Sequence, residues 1–337
     1  MPKTWINDNG TVRELTKLWI NDNGTVRQLS KLWVNDNGTP RQILASSGTW
    51  ELMTSSATSW LHDVATDSSG NWIIVGNDGV ILTSADNGAT WTTRTSGTTN
   101  DLRSVATDGL GNWVAVGQSG TVRTSSDNGV TWTARASGTT NTLGDVETDG
   151  NGTWIFGVSG TFGRVRRSTN NGTSWSEVST GTIQTIVCLA ADGSGNWVAG
   201  CTGGVLVTSS NDGVSWTTRT SGTAVGIDGV ATDGSGLWVY VDRAGVEVAT
   251  STDNGTSWTA GTSDTSQNWN AVATDGTDWK ATGYSGNIIE ATDATATNWV
   301  NDGSNVTTGN VGLLEIATDG AGTWITVGQN GTILRLG

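Results

Sequence analysis

From residue 46 onward the chain is built of short apolar runs, each broken by Gly, Asn and Asp. One stretch shows the form. Leu102-Arg103-Ser104-Val105-Ala106-Thr107 is followed by a glycine turn, then by Asn112-Trp113-Val114-Ala115-Val116-Gly117 and Thr121-Val122-Arg123-Thr124-Ser125. Asp127-Asn128-Gly129 then leads into Thr131-Trp132-Thr133. Small and β-branched residues bounded by turn formers predict four antiparallel strands, here A to D. The unit recurs. Tryptophan stands in the second strand at 72, 113, 154, 197, 238, 279 and 324, and before the fourth at 50, 91, 132, 175, 216, 258 and 299. Four strands in a repeat of about 41 residues, seven times over, predict an all-β, seven-bladed β-propeller spanning residues 46–337. The 14 periodic indoles are then packing between blades. Trp50 is in phase with the second series, and the last unit stops after strand C (Gly331 to Leu336). Thr49 to Met53 is therefore expected as the outer strand of the last blade, a 3+1 closure that removes two open edges.

Residues 1–45 follow another rule. Thr4-Trp5-Ile6-Asn7-Asp8-Asn9-Gly10-Thr11-Val12-Arg13 recurs from Leu18 and from Leu32, with Trp5, Trp19 and Trp33 spaced by 14. Asn-Asp-Asn-Gly between β-prone runs predicts three short hairpins. Leu18 and Ile20 fall on one face and Trp19 on the other, so both faces are apolar and three hairpins cannot bury them alone. They are expected to form an attachment module that trimerises, docks on a partner, or both.

Composition narrows the chemistry. The net charge is −14, and residues 1–45, with six basic and four acidic groups, contribute none of the excess acidity. A nucleic-acid face is not expected on so acidic a domain. The longest apolar run, Ile186 to Ala191, is far short of the ~20 residues that span a bilayer, so no membrane insertion is read, and no targeting segment. His62 is the single histidine, which leaves little for zinc or Ser-His chemistry, and no metal or cofactor is expected. Arg164, Arg166 and Arg167 form the one basic cluster of the domain, placed to bind an anion or to pair with nearby carboxylates. Cys188 and Cys201 lie symmetrically about the Asp192-Gly193-Ser194-Gly195 turn and are expected to face each other as reduced thiols.

Between strands C and D stands the most specific motif, in the runs Ser84 to Trp91, Ser125 to Trp132, Ser168 to Trp175, Ser209 to Trp216 and Ser251 to Trp258. It resembles the Asp-box, or bacterial neuraminidase repeat, with Asp86, Asp127, Asn170, Asn211 and Asp253 at the acidic position and a degenerate sixth copy at Asp293. Physically it is a turn device, the carboxylate or carboxamide capping backbone N–H groups while glycine takes a positive φ. The resemblance implies a fold, not a reaction. Sialidases of this fold also carry an Arg-Ile-Pro motif and a Tyr nucleophile. Here the only prolines are Pro2 and Pro40, and Tyr240 and Tyr284 lie beside B–C turns, so the chain reads as no enzyme. The repeats of residues 1–45 resemble W-x-N-D-x-G repeats of tailed-phage virion proteins. The propeller repeats are also similar to those of the photosystem II assembly factor, a docking scaffold.

The leading expectation is a virion structural or adhesion protein, a tail fibre or capsid decoration bound to other virion proteins through residues 1–45. Alternatives are a carbohydrate-binding propeller on a cell surface, outside the cell, and a protein-docking assembly scaffold. Recognition is expected on the face of the D–A and B–C loops. Trp60 and Trp269 are the two indoles outside the periodic series and are read as exposed loop residues able to stack on a host-surface glycan. Asp63, Arg103, Asp228 and Asn270 would bond its hydroxyls.

Overall fold

The computed structural model describes residues 49–337 except 161–162, 245–247, 264–266 and 303–310, and, of residues 1–48, the backbone of six strands. Those six pair as antiparallel hairpins, Thr4–Asp8 with Thr11–Leu15, Trp19–Asp22 with Thr25–Gln28, and Lys31–Asp36 with Thr39–Ala45. The side-chain faces read from Leu18, Trp19 and Ile20, and the Asn-Gly turn tips, lie outside the described residues. Met1–Thr49 and Trp50–Gly337 are separate compact units.

Trp50–Gly337 is a seven-bladed β-propeller. Strands A, in blade order, are Leu61–Thr66, Leu102–Thr107, Leu143–Thr148, Ile186–Ala191, Ile227–Thr232, Trp269–Thr274 and Leu313–Thr318. Each pairs antiparallel with a strand B that opens on tryptophan, such as Trp72–Gly76, and B pairs with C. The A strands of successive blades pack side by side around the axis. In blade 7, strand C is Ile333–Leu336 and the outer strand is Glu51–Leu52, with Leu52 opposite Leu334 and Glu51 opposite Arg335. Blade 6 carries a fifth strand, Thr262–Ser263, parallel to Asn298–Asn301. Gly261 makes that crossing possible, since a Cβ there would stand 2.7 Å from the Thr297 carbonyl oxygen.

The cores lie between blades, not within them. Ile73, Val75 and Ile81 of blade 1 pack with Leu102, Trp113 and Ala115 of blade 2, and the pattern recurs at all seven junctions. All seven strand-B indoles are buried. At about 25 cal/mol per Å² and roughly 200 Å² per ring, each contributes up to about 5 kcal/mol of apolar burial.

The Asp-box turns are closed by side chains. In blade 2, Asp127 Oδ1 accepts from the Ser125 hydroxyl (2.7 Å) and from Thr131 N–H (2.9 Å), and Oδ2 accepts from the Thr131 hydroxyl (2.6 Å). Ser125 Oγ in turn accepts from Gly129 N–H at 2.9 Å. Gly129, at φ +76°, lies on the neighbouring blade, where a Cβ would meet Ile73 at 2.3 Å. Blades 3 and 4 keep the network with amides: Asn170 Oδ1 accepts from Ser174 N–H at 3.0 Å while Nδ2 donates to Ser174 Oγ at 2.9 Å. The degenerate copy places Ala296 at φ 51° and still gathers Thr295, Thr297 and Asn298 on Asp293. Asp127→Ala is expected to cost about 1–2 kcal/mol in urea denaturation, the scale of a lost cap. Asp127→Asn should cost almost nothing, because two blades already use it; a loss equal to that of Ala would show that charge, not geometry, holds the turn.

The cysteines correct the symmetry argument. Cys188 stands opposite Gly200, and Cys201 opposite Ile186, because the ladder shifts register between Ile186 and Cys188. Both thiols are free and buried. Burial pushes Cys201 up to about 12 and Cys188 well above the usual thiol range.

Candidate functional site at the mouth of the ring

Every strand A has the same irregularity at its start. The A–B register shifts after the first residue in all seven blades, at Leu61, Leu102, Leu143, Ile186, Ile227, Trp269 and Leu313. A bulge leaves one residue out of the ladder and re-aims its side chain. The first position is apolar and buried in each blade. The second is half-buried in each, and carries His62, Arg103, Gly144, Val187, Asp228, Asn270 and Leu314. Seven copies of one backbone device thus present seven different side chains.

Two of them, His62 and Asp228, bond the B–C turn of their own blade, which places this position at the mouth opposite the Asp-boxes. His62 Nε2 lies 2.6 Å from Asn77 Oδ1, the first residue of its blade's B–C turn. Burial lowers the His62 pKa, assisted by Arg103 and opposed by the Asn77 bond. Arg103 pairs with Asp101 at 3.5 Å, and Asp101 accepts from Gln118 of the next turn at 2.6 Å. Asp228 holds Arg243 by two bonds of 2.8 and 2.9 Å. Burial nonetheless raises Asp228. Asn270 Nδ2 donates to the Leu313 carbonyl of blade 7 at 2.6 Å.

Of the two aperiodic indoles, Trp60 is 43% exposed and sits beside His62, their ring centroids 6.4 Å apart. Trp269 is not a loop residue. It is fully buried and occupies the first strand-A position, where the other blades carry Leu or Ile, so its face is closed to any ligand. The signal was present: Trp269-Asn270-Ala271-Val272-Ala273-Thr274 aligns with Leu61-His62-Asp63-Val64-Ala65-Thr66. Among the proposed contacts, Arg103, Asp228 and Asn270 share the bulge position, whereas Asp63 lies one residue deeper. The basic cluster pairs internally, Arg164 and Arg166 both reaching Glu177 at 3.5 and 2.9 Å, and Arg167 donates to the Asp212 carbonyl at 2.6 Å.

Below the mouth runs an axial cavity of about 340 Å³ lined by strand A. In blades 1 to 3 the third position carries a polar side chain, Asp63, Ser104 or Asp145, that reaches the next blade. Val105 N–H donates to Asp63 (2.7 Å), Val146 N–H to Ser104 (3.0 Å) and Leu189 N–H to Asp145 (2.7 Å), tying blades 1 to 4 together at the axis. The Ser104 hydroxyl donates to Asp145 at 2.8 Å. Position five is Ala in six blades and Glu147 in blade 3, so only Glu147 brings a charge there. The one signal for this acid in the sequence is its departure from alanine at a position the other blades share. Burial raises Asp63 to about 6, Asp145 to about 7 and Glu147 to about 8, and drives Glu315 well above the usual range. Among the described residues no group of His, Cys, Asp and Glu has the arrangement of a metal site.

The sequence model of the family described as Photosynthesis system II assembly factor YCF48 matches residues 42–337. The chain belongs to that family. No curated protein matches it in sequence. Solved YCF48 structures share the fold: one of YCF48 bound to D1 peptide has 19% identity and a TM-score of 0.71 over 86% of this chain and 96% of that one. YCF48 from Cyanidioschyzon merolae has 17% identity and a TM-score of 0.67 over 86% and 98%. A catalytically inactive virginiamycin B lyase from Staphylococcus aureus, with quinupristin, is equally similar in shape at 14% identity and a TM-score of 0.72 over 86% and 98%. The propeller alone therefore does not separate scaffold from enzyme.

YCF48 membership overturns the leading expectation of the sequence. A virion or cell-surface location, a tail-fibre or capsid role and attachment to virion proteins rested on residues 1–45, and display to a host glycan rested on Trp60 and Trp269. The family match covers the propeller and begins at residue 42, and its members are photosystem assembly factors. Asp-boxes are turn closures here and carry no information about a partner.

Proposed function

We propose that this chain is a non-catalytic docking scaffold that holds an extended segment of a photosystem protein against the mouth of the ring. The observation that carries the reading is the contrast within strand A. Positions that build the ring repeat from blade to blade, while the bulged position varies in charge, size and polarity around the mouth. A catalytic centre needs a few groups converging on one point. A graded circle of single contacts suits a ligand with many different side chains, such as a peptide. A YCF48 relative has been solved with a D1 peptide.

Titration of the D1 peptide into the full chain by calorimetry tests this. Binding is expected, weakened at least 10-fold by Trp60→Ala and by Arg103→Ala, and unaffected by Leu110→Ala on the A–B turn of the opposite face, where Leu110 is 82% exposed. Equal loss from both faces, or no binding by a folded chain, would sink the proposal.

A further inference from the structure

We propose that blade 7 is a releasable clasp, its outer strand Glu51–Leu52 detaching from Ile333–Leu336 while the rest of the ring stays folded. In blades 1 to 4, strand D is the second arm of a hairpin, returned to strand C by an Asp-box turn with a ladder of three or four residue pairs. In blade 7 no turn joins C to D. The ladder has two pairs, extended by Met53 N–H donating to the Ile333 carbonyl at 2.9 Å. Glu51 and Leu52 are exposed, Leu52 by 64%, so they add almost no buried surface.

Trp50 is the main anchor of the clasp, and the half-buried Met53 adds a contact with the core shared by blades 7 and 1. Trp50 is 4% exposed and packs among Ile288, Leu313, Trp324 and Leu334. In blades 2 to 6 the equivalent indole N–H donates to its own turn, for example Trp132 to the Gly129 carbonyl at 2.9 Å, so that bond moves with the strand. The Trp50 N–H instead donates across the seam to Asp302 of blade 6 at 3.0 Å, a bond that is lost when the strand leaves. Strand C of blade 7 does not depend on the clasp. It keeps four pairs with Trp324–Gly328, and Arg335 donates to the Asn87 carbonyl of blade 1 at 2.7 Å. Trp50 is also the first residue after the unit Met1–Thr49, so a pull on that unit reaches the clasp before any other strand.

Native-state hydrogen exchange on the full chain, read by mass spectrometry, tests the proposal. Amides of residues 51–53 should exchange at least 10-fold faster than those of Thr133–Ala136, while Trp324–Gly328 stays protected. Trp50→Ala should raise the rate at 51–53 a further 10-fold without touching Trp324–Gly328. The double variant Leu52→Cys/Leu334→Cys joins directly opposed residues, and its oxidised form should abolish the fast exchange. Exchange of 51–53 at the rate of Trp324–Gly328 would overturn the proposal, as would loss of protection at both segments together in Trp50→Ala, or fast exchange that persists through the disulfide.

Discussion

Glu147→Ala is expected to stabilise the propeller above pH 8 and to leave it almost unchanged at pH 4.5. Glu147 enters the axial cavity where the other blades place alanine, and it accepts a bond from the Thr148 N–H at 2.7 Å. Burial first, and the charge of Asp145 second, raise it from 4.5 to about 8. A carboxyl raised in the folded state binds its proton more tightly there than in the unfolded chain. Its favourable contribution is complete below pH ~4.5 and is lost as pH climbs through 8. At ~1.4 kcal/mol per pH unit, the accumulated cost above pH 8 is on the order of 5 kcal/mol, which alanine removes. Urea denaturation of both proteins at pH 4.5 and 8.5 measures it. An equal gain at both pH values would mean that size, not charge, was the burden. The Asp-box acids act in the opposite direction. Hydrogen bonds from Thr90, then Ser84, hold Asp86 low, and at Asp127 and Asp253 such bonds outweigh burial. Their contribution is present above pH ~4 and is lost on further acidification. Wild-type stability should therefore peak between about pH 4 and 6 and fall on both sides.

Glu290→Ala should cost about 3 kcal/mol or more, and Lys280→Ile added to Glu290→Thr should bring most of it back. Lys280 Nζ meets Glu290 at 2.8 Å with side chains 6% and 21% exposed, and stands 5.8 Å over the Trp324 ring. The pair occupies a B–C position that holds Ile or Val opposite Thr in four other blades, as Ile73 opposite Thr83. Removing the acid leaves a buried ammonium without its partner, typically a loss of 3–5 kcal/mol, while an apolar pair of like volume is often neutral or better. Thermal and urea unfolding of the single and double variants decide it. A double variant no better than Glu290→Ala would assign the pair a packing role that Ile and Thr cannot fill.

The ring was legible because its determinants are local and repeated: turn glycines, strand-length apolar runs and two tryptophan series. Strand closure by residues near 50 followed from phase alone. What escaped was register. A bulge shifts one residue and carries no composition signature, so Cys188 was set against Cys201 when it faces Gly200. Trp269 was misplaced for a related reason. Its size suggested an extra ring in a loop, although the five residues after it align it with Leu61. Trp60, Arg103, Asp228 and Asn270 stand at or beside the start of strand A, where the repeat phase puts them, but what they recognise is not written in that phase. The axial acids were not legible, because their raised pKa values arise from neighbours contributed by other blades.

Because each apolar core is shared by two adjacent blades, no blade owns an interior. An excised blade would be a four-stranded ribbon with both faces wet, and should not fold. Folding is then a matter of joints rather than modules. The first joints form between neighbours about 41 residues apart in the chain. The last must bring residue 50 to residue 336, and its long loop makes it the slow step. Moving the chain ends to another Asp-box turn, with the old ends linked, would only carry that long joint to the new seam. Such a permutant should reach the same ring at a similar rate, with a different pair of blades meeting last.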